Sequence, residues 1–286
     1  MTLAIILKLL LVLSVVLMVF GLALRAKAAD ALYFVTHWQL GLRAFVSIFV
    51  VVPLIAITMA KVLDLHPVVK AAMVAVSLSP LPPILPGKMM RAGGRACYVT
   101  GLLVGSTLLS VIVTPLGIML AGDVFGVDIG ISAKKVVTTL GITILLPLLA
   151  GFGAAAFLGS AVDKASQVIS KIGTVLLVAV ALVLLVRLGP AMIDVIGQGT
   201  LVALLAMSIA GLAAGYLLAG SNRGDKATLA LASATRHPGI ALAILLQNFP
   251  DAQLAPAAIV LALLVSLLIS IPFMRMMKNQ APATGA

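Results

Sequence analysis

The residues with the clearest chemical potential lie in two short proline-containing segments. The first, SLSPLPPILPGKMMRAGG, covers 77–94, and the second, ATRHPG, covers 234–239. The second segment sets Arg236 beside His237 between two apolar runs. A guanidinium can bind a carboxylate through two hydrogen bonds, and an imidazole changes charge near neutral pH. Arg236 is therefore a candidate for binding an anion, and His237 for binding substrate or carrying a proton.

Both segments predict an interrupted membrane helix. Proline removes a backbone donor and moves the preceding residue out of the helical region. Unpaired backbone is tolerated at membrane depth only where it lines a cavity or is buried in protein. Two such interruptions in separate halves of a chain are typical of transporters with inverted repeats, whose half-helix N-termini attract anions. The predicted substrate-binding or transport residues are Ser79, Pro80, Pro82, Pro83, Pro86, Lys88, Thr235, Arg236, His237, Pro238 and Gly239.

Structural roles are open for several of these residues. Arg236 could be a loop arginine nearer the cytoplasm, and His237 could cap the backbone at the break. Lys88 could belong to an ordinary cytoplasmic basic loop. The hydroxyls of Thr235 and Ser79 could bond freed backbone groups instead of substrate.

The composition predicts an all-α membrane protein. Hydrophobic residues make up 63% of the 286 residues and charged residues only 9%, whereas soluble domains carry about 25% charged residues. A membrane helix needs about 20 mainly apolar residues. The candidate spans number nine and cover 3–24, 38–61, 66–86, 97–121, 135–158, 167–188, 199–219, 226–249 and 254–274.

The charge distribution predicts an orientation. The chain has 19 Lys and Arg against 8 acidic residues, and the basic residues lie between apolar runs, which argues against a nucleic-acid partner. An N-terminus outside and a C-terminus in the cytoplasm puts eleven basic residues inside and six outside. The expected location is a plasma or bacterial inner membrane. Because Arg25 and Lys27 follow the first apolar run, a retained helix is preferred to a cleaved segment at 1–28.

The titratable residues argue against an enzyme. All eight acids are aspartates, no glutamate occurs, and the lone Cys97 and three dispersed histidines form no metal motif. Ser233 lies one turn before His237, but nothing orients that histidine for hydrolysis. A cation/proton antiporter would need a carboxylate inside the membrane, and none is visible. A membrane sensor or assembly subunit that transports nothing stays an alternative.

At the two interrupted segments the chain resembles the bile acid:sodium symporter family. TPLGIMLAG at 114–122, LLPLLAGFG at 145–153, GYLLAG at 215–220 and GIALAI at 239–244 are also similar to family helices. The resemblance implies inverted repeats in which broken helices cross within a core domain that faces a panel domain. In a single membrane domain, 1–36 and 123–197 would form the panel, and 37–122 and 198–286 the core.

The chain departs from the family at the positions that the resemblance implies should bind sodium. Those positions carry Ile48, Leu85, Pro86, Val99, Leu103, Ala232 and Arg236. Apolar side chains cannot coordinate sodium, and a guanidinium would repel it. We therefore expect no cofactor and an organic anion transporter that is uniport or proton-linked, with Arg236 in place of a coupling cation. A sodium-coupled symporter is the alternative within the family, and the choice between monomer and dimer is open.

Overall fold

The protein is an all-helical membrane protein. The computed structural model describes residues 3–26, 29, 32–82, 85–125, 138, 141–197, 199–248 and 254–279, and these residues form helices joined by turns. Six of the described helical stretches are long and apolar enough to cross a membrane. This confirms the predicted fold class. In chain order, the helices are α1 Leu3–Arg25, α2 Tyr33–Thr36, α3 Trp38–Val62, α4 Pro67–Leu78, α5 Leu85–Arg91, α6 Ala96–Phe125, α7 Leu146–Leu158, α8 Val162–Ile196, α9 Thr200–Leu218, α10 Arg223–Ala234, α11 Pro238–Asn248 and α12 Ala255–Asn279.

The predicted spans correspond to these helices, and two of them are interrupted. The third span is α4 followed by α5, and the eighth is α10 followed by α11. The sixth is longer than the expected 167–188, because α8 continues past its apolar part at both ends. Asp163 lies in the first turn of α8, where a negative charge interacts favourably with the helix dipole. Residues 135–137, 139 and 140, at the start of the expected fifth span of 135–158, lie outside the described residues.

Helix α1 packs closely against α7 and α8. Val15, Val19 and Ala23 of α1 bury a small apolar cluster with Leu148 of α7. The Ser166 hydroxyl of α8 donates to the Gly21 carbonyl over 2.6 Å. Small residues at such contacts let membrane helices approach one another. These helices lie in the predicted panel, and the division into panel and core stays a prediction.

Helices α9 and α10 also approach each other closely. A Cβ on Gly211 would lie 2.9 Å from the Ser233 carbonyl oxygen, and one on Gly215 would collide with the Leu229 carbonyl. The two glycines are four residues apart and therefore occupy one face of α9. Any larger side chain there would push α10 away. This packing sets the position of the second interruption, which follows α10.

Candidate functional site

The first interruption lies at the end of α4. The chain leaves the helix at Ser79, whose ψ of 150° is extended. The freed carbonyls find side-chain donors: the Ser79 hydroxyl donates to Ala75 over 2.7 Å, and the Thr114 hydroxyl of α6 donates to Leu78 over 2.7 Å. Side-chain donors of this kind let a helix end inside an apolar bundle. For Ser79 the arrangement matches the alternative of a hydroxyl that satisfies backbone.

The second interruption lies between α10 and α11. Thr235 is extended, with φ −115° and ψ 122°, and α11 begins at Pro238. Pro238 is thus the first residue of the second half rather than the break itself, because a first-turn proline loses no helical hydrogen bond. His237 caps α11, since its Nδ1 accepts from the backbone N–H groups of Gly239 at 3.1 Å and Ile240 at 3.4 Å.

The two interruptions meet. The backbone N–H of His237 donates to the Pro80 carbonyl over 2.9 Å. Both groups belong to the non-helical segments between the helices. Each interruption therefore supplies a hydrogen-bond partner for a backbone group of the other, as buried backbone in a membrane protein requires. The sequence predicted both interruptions, and the structure brings them together.

Arg236 is a buried arginine with one hydrogen bond. The residue is 3% exposed, and its Nη2 donates to the Ile48 carbonyl over 2.6 Å. Its Nε and Nη1 are buried without a partner. Within the described part of the chain, Arg236 takes part in no ion pair. A guanidinium has five N–H donors, so most of its donating capacity is unused.

The Ile48 carbonyl is free because of a proline. Residues Val46–Val51 form a π-helical turn in α3, and the N–H of Val52 donates to Ser47. In this i→i+5 pattern the partner of Ile48 would be Pro53, which has no N–H. Arg236 supplies the missing donor. In the place of a coupling cation, Arg236 is expected to donate to a carbonyl of a broken helix. The carbonyl belongs instead to this turn of α3, which is also tied to α10 by the 2.7 Å contact of the Ser47 and Ser233 hydroxyls.

A narrow cleft lies beside Arg236, and we call it the Arg236 cleft. It is bounded by Arg236 and Pro238, by the hydroxyl residues Ser208 of α9 and Ser266 of α12, and by apolar side chains of α4, α9 and α12. The apolar lining consists of Val76, Leu204, Met207, Ala234, Ile259, Ala262 and Leu263. The cleft holds about one water-sized group. Arg236, whose Nε and Nη1 are without partners, is the charged residue among those that line it.

The other predicted residues have different surroundings. The Pro82 carbonyl accepts from the N–H of Leu85 over 3.0 Å and so leads into α5. Pro86 lies in the first turn of α5, and Lys88 in the same short helix is partly buried. The hydroxyl of Thr235 is buried without a partner. Pro83 lies outside the described residues.

The structure also reveals a buried ion pair that sequence reasoning missed. Asp225, whose side chain is 2% exposed, accepts from Arg95 through Oδ1 at 3.0 Å and Oδ2 at 2.5 Å. Nη2 of Arg95 also lies 3.4 Å from the Tyr33 hydroxyl. The hydrogen bond with Asp225 raises the pKa of Arg95, and burial raises the pKa of Tyr33. Because 130 residues separate the partners in sequence, no local pattern could have paired them.

The positions that the family resemblance pairs with sodium ligands lie mostly in one apolar cluster. Ile48, Leu85, Val99, Leu103 and Ala232 are each at most 2% exposed and pack together in the core. Their side chains offer no oxygen to a cation. Arg236 lies next to this cluster through its bond to Ile48.

Two interrupted helices that meet inside an apolar bundle are an arrangement of secondary membrane transporters. Comparison with known families matches residues 10–195 to the Sodium Bile acid symporter family. The match covers more than half of the 286 residues, and the chain belongs to this family. It is an integral membrane protein of a transporter family rather than an enzyme family. A search of curated proteins finds no match. The matched range contains the first interruption and ends before the second, so Arg236 lies outside it.

Proposed function

We propose that this protein carries a small or amphipathic organic anion across the membrane by alternating access, without sodium coupling. The observation that carries the proposal is Arg236, a buried guanidinium that lies at the meeting of the two interruptions and bonds to the Ile48 carbonyl. The N-terminus is outside and the C-terminus cytoplasmic, in a plasma or bacterial inner membrane. Core and panel move relative to each other around the interruptions.

The side chains at the family's sodium-ligand positions support transport without sodium. Sodium is a hard cation that needs several oxygen ligands. Seven positions would supply the ligands by the family resemblance, and five of them are apolar and buried: Ile48, Leu85, Val99, Leu103 and Ala232. Arg236 already holds the Ile48 carbonyl with a fixed positive charge. A second cation beside it would be repelled, because charge repulsion is strong where water is excluded.

The environment of His237 favours uniport over proton coupling. Its Nδ1 accepts from two backbone N–H groups at the start of α11. Protonating Nδ1 would remove this acceptor and leave the N–H groups of Gly239 and Ile240 without a partner, which is costly in a buried site. A proton carried on Nδ1 would therefore disrupt the second interruption in every cycle. The gradient of the organic anion is the simpler driving force.

The test is uptake by purified protein in proteoliposomes. Taurocholate, pyruvate and pantoate serve as labelled probes, each with an inward gradient of sodium chloride or of choline chloride. We expect saturable uptake of at least one probe, with equal initial rates in the two salts. Varying the outer pH from 6 to 8 at constant inner pH should leave the rate unchanged for a uniporter.

Two matched variants assign the result to Arg236. Arg236→Gln keeps a donor for the Ile48 carbonyl but removes the charge. We expect uptake to fall by at least about tenfold, because a charge-assisted hydrogen bond to the anion is lost. Arg187→Gln is the control, because Arg187 is an exposed arginine of α8. This variant should transport normally. Uptake that requires sodium, or normal uptake by Arg236→Gln, would contradict the proposal.

A further inference from the structure

The Arg236 cleft has the features of an anion site. Arg236 is 3% exposed, and its Nε and Nη1 carry three N–H groups without a partner. No described carboxylate forms an ion pair with it. An unpaired charge in an apolar interior is strongly unfavourable. A bound anion would supply the counter-charge that the protein itself does not.

A second polar group points to the same place. Ser208 of α9 lines the cleft and is 4% exposed. Its hydroxyl has no hydrogen bond within the described part of the chain. Ser266 of α12, which also lines the cleft, already donates to the Leu263 carbonyl over 2.9 Å. The residues that line the cleft and retain unused donors are therefore Arg236 and Ser208.

The size and walls of the cleft restrict the ligand. The space accommodates about one water-sized group. Its apolar walls, which include Met207, Ile259 and Ala262, offer no further side-chain donors and no second positive charge. A dianion such as sulfate would lack the second counter-charge, and a strongly hydrated ion would lose its water without replacement. A compact monovalent anion fits both the charge and the donors.

We infer that the Arg236 cleft binds one compact monovalent anion, held by Arg236 and Ser208. Two sources share this chemistry: a free halide such as chloride, or a carboxylate that places one of its oxygens in the cleft. The elements that form the cleft, α4, α9, the second interruption and α12, all belong to the predicted core, so the anion would move with the core. The inference stands on the cleft itself and holds whichever ion drives transport.

The experiment measures anion-dependent stability of the full-length protein in lipid nanodiscs. The protein is exchanged into sodium HEPES, whose bulky sulfonate is neither a halide nor a carboxylate, and then titrated with chloride, bromide, acetate or sulfate at constant ionic strength. A ligand that binds the folded state raises the unfolding temperature as its concentration exceeds its dissociation constant. We expect a saturable rise with chloride and bromide or with acetate, and none with sulfate.

Three variants locate the effect. Arg236→Gln should abolish it, and Ser208→Ala should weaken the apparent affinity about threefold to tenfold, as expected for one lost hydrogen bond. Ala262→Val narrows the cleft while keeping Arg236 and should also weaken binding. Ser110→Ala is the matched control, because Ser110 is a buried serine of α6 whose hydroxyl bonds to Thr107 outside the cleft. It should keep the full response.

The outcomes separate the two sources and leave the inference open to refutation. A response to chloride and bromide alone identifies a resident halide. A response to acetate that pyruvate competes with identifies the carboxylate. An unfolding temperature that does not change with any of the four anions would overturn the site. So would a response of Ser208→Ala and Ala262→Val that equals the response of the wild type. Sodium-independent uptake could still hold in that case, so the failure would not be confused with failure of the proposed function.

Discussion

Two arginines of this protein are stabilised in opposite ways. Arg95 is partly exposed, with 43% of its side chain accessible, and binds the buried carboxylate of Asp225 through two hydrogen bonds. Arg236 is almost fully buried and bonds to a single backbone carbonyl. In the first pair the buried charge is negative and its partner reaches water. In the second the buried charge is positive and its partner is neutral.

The difference separates a structural charge from a functional candidate. The Arg95–Asp225 pair satisfies both of its members and ties the loop before α6 to the first turn of α10. Arg236 satisfies the Ile48 carbonyl but retains unused donors. A group that the fold leaves incompletely paired is available for a ligand. The two sites should therefore respond differently to mutation.

The largest effect on stability is expected at the paired site. Arg95→Ala leaves the Asp225 carboxylate buried without a partner, and we expect the free energy of unfolding to fall by about 3 kcal/mol. Denaturant titration in a fixed detergent would measure it. Arg91→Ala, in the exposed part of the same basic segment, should change the value by less than about 0.5 kcal/mol.

A second substitution tests the cause of that loss. Asp225→Asn removes the buried charge, so the double variant with Arg95→Ala should be more stable than Arg95→Ala alone. If Asp225→Asn instead adds its own full loss, the stranded carboxylate is not the reason for the destabilisation.

At the other site, Arg236→Ala is expected to cost less stability but more activity. It leaves the Ile48 carbonyl without a donor, which costs about 2 kcal/mol, and it strands no opposite charge. Proteoliposome uptake should nevertheless fall to background, while Arg95→Ala keeps measurable uptake per folded molecule. Equal losses of uptake in the two variants would erase the distinction between the sites.

A smaller effect should appear at Pro53. Pro53→Ala restores an N–H that can donate to Ile48, so the loss caused by Arg236→Ala should shrink by about 1 kcal/mol in this background. The four unfolding free energies of the double-mutant cycle give the coupling. Pro67→Ala, at the start of α4, is the control. A coupling near zero for Pro53 would show that the missing N–H does not explain the bond between Arg236 and Ile48.

The smallest effect is expected at Tyr33, whose hydroxyl lies 3.4 Å from Arg95. Tyr33→Phe should change stability by less than about 0.5 kcal/mol near neutral pH. Burial raises the pKa of Tyr33 above its ordinary value of 10.0. The folded protein thus keeps the proton that the unfolded chain releases, and stability declines as pH rises above 10. Unfolding between pH 9 and 11 should show a weaker decline in Tyr33→Phe than in the wild type.

The sequence predicted the local features well because they depend on local chemistry. The prolines at Pro80 and Pro82 fall in the first interruption, and the pair at Pro238 and Gly239 begins the helix after the second. Proline acts on its own backbone and its immediate neighbours, so position alone is enough to predict where a helix stops. The helical class likewise followed from apolar runs of membrane length.

The partners of the charged residues depend on contacts across the chain. Ile48 and Arg236 are 188 residues apart, and Arg95 and Asp225 are 130 apart. In the sequence, Arg95 directly follows the first proline-containing segment and Asp225 lies shortly before the second, and no local pattern pairs them. A hydrogen bond needs atoms within about 3 Å, and only the packing of α3, α6 and α10 brings these atoms together.

By itself the sequence determined a helical membrane protein with two proline interruptions, a positive charge at the second interruption and no glutamate. Composition and local backbone chemistry suffice for each of these. The tertiary structure decided that the interruptions bond to each other, that Asp225 neutralises Arg95, and that Arg236 meets a carbonyl freed by Pro53. Whether a buried charge is paired depends on distance in space, and helix packing sets that distance.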